Sequence, residues 1–236
     1  MIFKWKLILL RKFFLSKFKS KGFLPVFSLG IVFLILFVST PGLCQEAEPL
    51  VEVIKLDSTI VIDLRYATTN NFTGIQLYSV AKCYLRKSVA ERLVRVHKLL
   101  QKVGYGIKIW DGYRPLSVQK RMWEIVPNPR YVAPPSKGSR HNRGAAVDVT
   151  LVDSLGNDVE MPTDFDDFTR RAAPDFPDVP PKVKENRKLL REAMLLEGFR
   201  GISSEWWHYD APGYRKFAIL DIPIEEIENQ KNLYVK

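Results

Sequence analysis

The sequence predicts an α+β fold, and three observations carry that prediction. Stretches of two-residue apolar alternation and stretches of helical apolar spacing are interleaved along the chain. They lack the regular strand–helix–strand rhythm that builds a parallel sheet. No repeat or low-complexity tract separates them, and 236 residues suffice for one domain with a proper core.

Taken in order, residues 45–57 are acidic and irregular and read as a tether, with the folded domain spanning 58–236. Ser58 to Tyr66 alternates through Ile60, Ile62 and Leu64 and reads as the first strand. Ala67 to Tyr78 is polar and Gly-containing, a surface loop. Ser88-Val-Ala-Glu91 has the form of a capping box, whose Ser and Glu satisfy free N–H groups at a helix start. Val89, Leu93, Val96, Leu100 and Val103 then fall on one helical face, and Gly104 ends the helix. His97 lies beside that stripe with no ligand partner at useful spacing and reads as structural.

Gly106 to Trp110 is a short strand, followed at once by Asp111-Gly-Tyr-Arg-Pro115. Pro115 suits the first turn of a helix running through Ile125. Arg114 is therefore displayed at a strand-to-helix corner, where functional groups are often presented; the plainer role is pairing with Asp111. Val126 to Gly138 holds four prolines and is a loop. Gly144 to Leu151 alternates as a strand, and Val152 to Val159 reads as a hairpin turn about Gly156-Asn157. Asp164 to Pro181 is a second connection, and Lys182 to Glu197 a helix with Leu189, Leu190, Ala193 and Met194 on its inner face. Ile202 to Tyr209 is the last strand-like stretch.

The formal charge of +10 does not indicate a nucleic-acid partner. Seven of the 36 Lys and Arg lie before residue 22, and no Asp or Glu precedes Glu46. The rest of the chain carries 29 basic against 26 acidic residues, so the excess sits in a leader and not on a folded face. In that leader, residues 1–44, a basic region precedes an apolar run from Val26 to Val38. It reads as a signal peptide cleaved before Gln45, or as an uncleaved anchor crossing a thin bilayer from Phe23 to Val38. Bulky Leu43 before Cys44 argues against a lipoprotein signal. Both readings export the domain, to the periplasm or beyond or held at the inner membrane, and membrane contact is expected only through this segment. Cleavage leaves Cys83 as the lone cysteine, without a disulfide partner, and it reads as a small core residue.

The chemistry gathers in Ser139-Arg-His-Asn-Arg-Gly-Ala-Ala-Val-Asp148 and Glu205-Trp-Trp-His208. His141, Asp148 and His208 are two imidazoles and a carboxylate, a donor set that suits zinc and leaves one position open, as a catalytic site requires. Only three histidines occur in the chain, and two of them lie in these stretches. Glu205 is the candidate general base, to take a proton from water and return it to the leaving amine. On a strand, Glu205 and His208 would point to opposite faces, so a bend near Trp206 is required. The spacing is not that of a helical HExxH site. Arg114 is the candidate for stabilising an oxyanion, because a fixed guanidinium favours developing charge over the neutral ground state. The plain alternatives are a strand-edge Asp148 and structural Trp206 and Trp207.

Together these motifs resemble the paired signature of the zinc D-alanyl-D-alanine dipeptidases and their carboxypeptidase relatives. Asp63-Leu-Arg-Tyr-Ala-Thr-Thr-Asn-Asn-Phe-Thr-Gly74, Trp110-Asp-Gly-Tyr-Arg-Pro115 and Phe165-Asp166 resemble the branch known from vancomycin resistance. The resemblance covers nearly the whole domain from Ser58 onward. It implies a single compact α+β domain with a central antiparallel sheet flanked by helices, shared with D,D-peptidases and the hedgehog signalling domain. It implies one zinc ion held by His141, Asp148 and His208, with Glu205 and Arg114 in the roles above. It implies a free D,D-dipeptide substrate, with Tyr66, Ser139 and Asp166 at pocket positions. The leader departs from the resistance enzymes, which must act in the cytoplasm, and points to scavenging or cell-wall turnover outside it. Two other functions compete: a murein D,D-carboxypeptidase or endopeptidase with the same zinc chemistry, and a zinc-containing binding domain without activity.

Overall fold

The computed structural model describes residues 48–228, so the leader, and the signal peptide or anchor expected there, lie outside the described residues. Seven strands and three helices make up the fold: β1 Leu50–Glu52, β2 Val61–Ile62, β3 Tyr84–Arg86, α1 Lys87–Gln101, β4 Tyr105–Asp111, α2 Leu116–Ile125, β5 Ala146–Asp153, α3 Pro181–Leu196, β6 Arg200–Gly201 and β7 His208–Asp210. Five of the strands form one sheet in the order β2-β4-β5-β7-β6. Its pairs are antiparallel except β2 with β4, which is parallel at the edge. β1 and β3 form a separate antiparallel pair. Helices α1 and α3 pack on each other, α1 also on β4 and α3 also on β5 and β6. The α+β class and the central, mainly antiparallel sheet are therefore as expected. Among the described residues no helix is long and apolar enough to cross a membrane.

The helical stripe of α1 behaves as its spacing requires: Val89, Leu93, Val96, Leu100 and Val103 are all buried. Gly104, at φ 80°, ends the run in a left-handed conformation that costs glycine little. The capping box does not form. The helix starts at Lys87 with Arg86 at its N-cap, two residues before Ser88, and the Ser88 N–H donates to the Glu48 carboxylate from a distant part of the chain. His97 is structural, as its isolation suggests. Its Nδ1 accepts the Ile107 N–H at 3.0 Å, and Nε2 lies 2.9 Å from the Thr59 hydroxyl, so one ring ties α1 to β4.

Three further expectations need correction. The segment read as a tether over 45–57 is part of the fold from Leu50 on. β1 pairs residue by residue with β3, and Val53 is 0 % exposed. Its acidic residues hid this, because Glu48 accepts from the distant Ser88 N–H and Glu52 pairs with nearby Lys55, so neither belongs to a solvated tail. The first strand is only two residues long. Ile60 and Leu64 are buried, but the chain turns into a 3-10 turn at Arg65–Ala67. Alternation there reports inward-facing side chains without a long ladder. Of the last strand-like stretch, Ile202 to Tyr209, only His208 and Tyr209 are strand, within β7; Ile202 to Trp207 are irregular, and β6 lies just before them.

A bulge in β4 aligns the site. Tyr105 to Ile109 pair in steady register with Asp153 to Val149, but the next partners are Asp111 and Asp148, which makes Trp110 the extra residue. Without it, Asp111 would oppose Val147 and point to the other face. Asp148 is in turn paired with His208 on β7. Asp111, Asp148 and His208 thus stand in a row across three strands, on one face.

Candidate metal centre

His141 reaches the Asp148–His208 row through a tight turn. Residues His141–Arg143 form a single 3-10 turn that Gly144 closes at φ 64°, its N–H donating to the His141 carbonyl at 2.9 Å. A Cβ on Gly144 would also lie 2.6 Å from Leu50 Cδ2, so both conformation and space demand glycine. The turn folds the chain back, and seven residues of sequence separation become contact. His141 Nε2 lies 3.1 Å from His208 Nδ1 and 3.5 Å from Asp148 Oδ2, and His208 Nδ1 lies 3.0 Å from Asp148 Oδ1. Zinc–nitrogen and zinc–oxygen bonds near 2.0–2.1 Å arranged tetrahedrally put neighbouring donors about 3.3 Å apart. Three buried donors spaced at 3.0–3.5 Å fit such an ion.

The outward nitrogens are also held. His141 Nδ1 donates to the Gly112 carbonyl at 2.8 Å, which leaves the Nε2 lone pair facing the donor set. His208 Nε2 is 2.9 Å from Asp210 Oδ1, and Arg140 Nε lies 3.5 Å from the other oxygen of Asp210. Burial works against a charged His208 ring, but the hydrogen bonds to Asp148 and Asp210 outweigh it and push the ring up to about 10. An incoming divalent ion therefore displaces a proton there.

All eight side chains singled out in the sequence line one cavity of about 220 Å³: Tyr66, Arg114, Ser139, His141, Asp148, Asp166, Glu205 and His208. Glu205 lies in the irregular stretch before β7, and the break in the strand turns its carboxylate to the same side as His208. Among the described residues its carboxylate has no hydrogen-bond partner, and burial pushes it up from the usual carboxylate range. Arg114 is paired with Asp111 and also lines the cavity, so the pairing does not withdraw it from the site. Its Nε and Nη2 donate to Asp111 Oδ2 at 3.1 and 2.6 Å, and Nη1 donates to Gln119 Oε1 at 2.8 Å. Burial opposes its charge, and Asp111 more than offsets this, so the guanidinium stays charged.

A match to the D-ala-D-ala dipeptidase family covers residues 46–227. This chain belongs to that family, one of zinc metallopeptidases. It is 38 % identical over 176 residues to a D-alanyl-D-alanine dipeptidase of Escherichia coli (strain K12), covering 75 % of this chain and 91 % of that one. It is 33 % identical over 168 residues to a D-alanyl-D-alanine dipeptidase of Enterococcus faecium, covering 62 % and 83 %. A vancomycin-resistance D,D-pentapeptidase, VanY, solved with Zn(II), is similar at 16 % identity and a TM-score of 0.39, over 68 % of this chain and 83 % of that one.

In this dipeptidase-family chain the three remaining sequence candidates have defined surroundings. The Tyr66 hydroxyl donates to Asp166 Oδ1 at 3.1 Å, and the Phe72 N–H donates to Oδ2 at 3.3 Å. Asp166 adopts φ 58°, and among the described residues it alone holds a positive φ without being glycine. Backbone of that kind costs energy and is retained where it aims a functional group. Burial raises the Asp166 carboxyl to about 7. The Ser139 hydroxyl accepts the His141 N–H at 3.2 Å, so it braces the ligand turn as well as lining the cavity.

Sequence reasoning placed Asp111 only as a partner of Arg114 and missed Asn142 and Asp210. Asp111 is fully buried and accepts from Tyr78, the Gly112 N–H and Arg114. Asn142 donates to the Arg114 carbonyl at 2.8 Å and joins the His141 turn to the arginine corner. Asp210 had a readable signal: two residues after His208 on a strand, it must face the same side.

Proposed function

We propose that this chain hydrolyses the free dipeptide D-Ala-D-Ala to two molecules of D-alanine, with one zinc ion held by His141 Nε2, an Asp148 oxygen and His208 Nδ1. The observation that carries the proposal is the convergence of that donor set with an unpartnered carboxylate, Glu205, and a fixed guanidinium, Arg114, in one small cavity. When bound, the ion supplies Lewis-acid polarisation and makes a nearby water more acidic.

The protein's own groups supply the rest. Glu205 accepts the proton of the attacking water as its oxygen bonds to the peptide carbon. It then delivers that proton to the departing amine nitrogen as the C–N bond breaks. Its raised proton affinity suits both halves of this exchange. Arg114, with three of its five N–H donors committed to Asp111 and Gln119, is held in place before the substrate arrives. It meets the carbonyl oxygen as negative charge develops there. Asp210 and the Gly112 carbonyl keep the two rings aimed. Asp166, Glu205 and the Ser139 hydroxyl meet the substrate ammonium.

The test is hydrolysis of D-Ala-D-Ala and of N-acetyl-D-Ala-D-Ala by the pure, zinc-loaded protein, with and without a chelator. Cleavage of the free dipeptide alone, abolished by chelation and restored by zinc, is the expected result. Equal cleavage of the blocked substrate would make it a D,D-carboxypeptidase, and no cleavage of either would leave a binding domain. We also propose that the enzyme works outside the cytoplasm in scavenging or wall turnover, on the strength of the basic and apolar leader over residues 1–44. Cell fractionation that recovers the mature-length protein in the cytosol would overturn that.

A further inference from the structure

Two cavities meet at Glu205. The first, about 220 Å³, contains the donor set; the second, about 350 Å³, is lined by Asp167, Arg170, Asp175 and Ser203 among others. Arg130, Tyr131, Phe168, Ser204 and Glu205 border both. Side chains that border two cavities are the wall between them. The aromatic part of this wall is a stacked pair, Tyr131 and Phe168, with ring centroids 4.4 Å apart and planes 19° from parallel.

The pair joins two long connections, the one after α2 and the one before α3. Phe72 meets Phe168 edge-on with centroids 5.3 Å apart, and the Arg130 guanidinium lies over the Tyr131 ring at 5.8 Å. Both stacked rings are only half-buried. Ring contact across the gap, more than core packing, therefore holds the wall in place.

The wall stands where a substrate extension would go. Asp166 offers its carboxylate to the first cavity, and Phe168 lies two residues further along the same turn. If Asp166 meets the substrate ammonium, a peptide or acyl group continuing from that nitrogen runs toward the stack. The first cavity alone lies below the roughly 300–1,000 Å³ usual for small-molecule sites. Joined with its neighbour it would fall inside that range.

We propose that the Tyr131–Phe168 stack is the barrier that confines this site to a free dipeptide. The cavity behind it is a latent subsite for the N-terminal extension of a longer D,D-peptide. Its mixed charge, from Arg130, Arg170, Asp167 and Asp175, suits a polar peptide extension over a lipid or an aliphatic chain. This rests on the hydrolase reading above.

The experiment compares kcat/KM of the zinc-loaded wild type with that of Phe168→Ala, Tyr131→Ala and Phe168→Tyr. The substrates are D-Ala-D-Ala, N-acetyl-D-Ala-D-Ala and the tripeptide L-Lys-D-Ala-D-Ala. The expected result is a rise of at least tenfold in the extended-to-free ratio for both alanine variants, with Phe168→Tyr keeping the wild-type ratio. Using the ratio separates specificity from loss of folded protein, and either alanine variant suffices if the other fails to fold. An unchanged ratio in the alanine variants overturns the barrier, as does a wild type that cleaves extended substrates as fast as the free one. Failure of the hydrolase reading itself looks different: the wild type then leaves free D-Ala-D-Ala intact.

Discussion

At the scale of single residues, the roles proposed for Glu205 and Asp210 are proton transfer and ligand aim, and each has its own test. Glu205 is a carboxylate without a hydrogen-bond partner among the described residues, in a cavity wall beside three donors. Glu205→Gln keeps its size and removes its basicity, so kcat should fall by about 10²–10⁴-fold with zinc content unchanged. Steady-state kinetics together with metal analysis checks both halves of that statement. Asp210 touches no reacting atom. It fixes the outward nitrogen of His208 at 2.9 Å, and Asp210→Ala should weaken zinc binding by about 10–100-fold. Titration against a competing chelator measures it, and an unchanged affinity would remove Asp210 from the aiming role. These two acids show how differently single residues can be read. Glu205 was legible because it sits at a chemically meaningful distance from His208 in the chain. Asp111 was legible only as a partner of Arg114, since its place beneath the site depends on a bulge that no residue type announces.

At the scale of elements, short turns carry more of the site than long helices do. The 3-10 turn that delivers His141 ends on Gly144, whose left-handed backbone and close approach to Leu50 both exclude a Cβ. Gly144→Ala should cost about 2 kcal/mol or more in urea unfolding, and should loosen zinc because His141 moves with the turn. The junction of α1 and β4 depends on a neutral His97, whose Nδ1 must keep a lone pair for the Ile107 N–H. Burial lowers its pKa, so the folded state binds its proton less readily than the unfolded state does. The stability it contributes is intact above about pH 6.5 and is lost as pH falls from there through the lower folded value. Urea unfolding of the zinc-saturated protein at pH 7 and 5.5 should show that loss. His97→Gln, less stable at both pH values, should show a smaller drop between them.

At the scale of the whole molecule, the metal is expected to act as part of the fold. The donor set joins the His141 turn, β5 and β7, which come together only in the folded chain. Zinc should therefore stabilise the native state by linkage, by about 4 kcal/mol at a thousandfold excess over Kd. For a domain of this size that is a rise in Tm of roughly 10 °C, readable by calorimetry before and after chelation. A flat Tm would mean that the three donors do not hold the ion together.

The sequence by itself determined the class of fold, the inner faces of the helices and eight of the side chains that line the cavity. Apolar spacing and residue chemistry are local properties, and they survive in one dimension. Tertiary structure alone decided where those side chains stand relative to one another. The β4 bulge brings Asp111 opposite Asp148, the turn closed by Gly144 brings His141 to the donors on β5 and β7, and β1 enlists residues that composition marks as a tether. Pairing register, strand breaks and ring stacking between distant loops depend on which backbone groups find partners across space. Nothing in the spacing of residues records that.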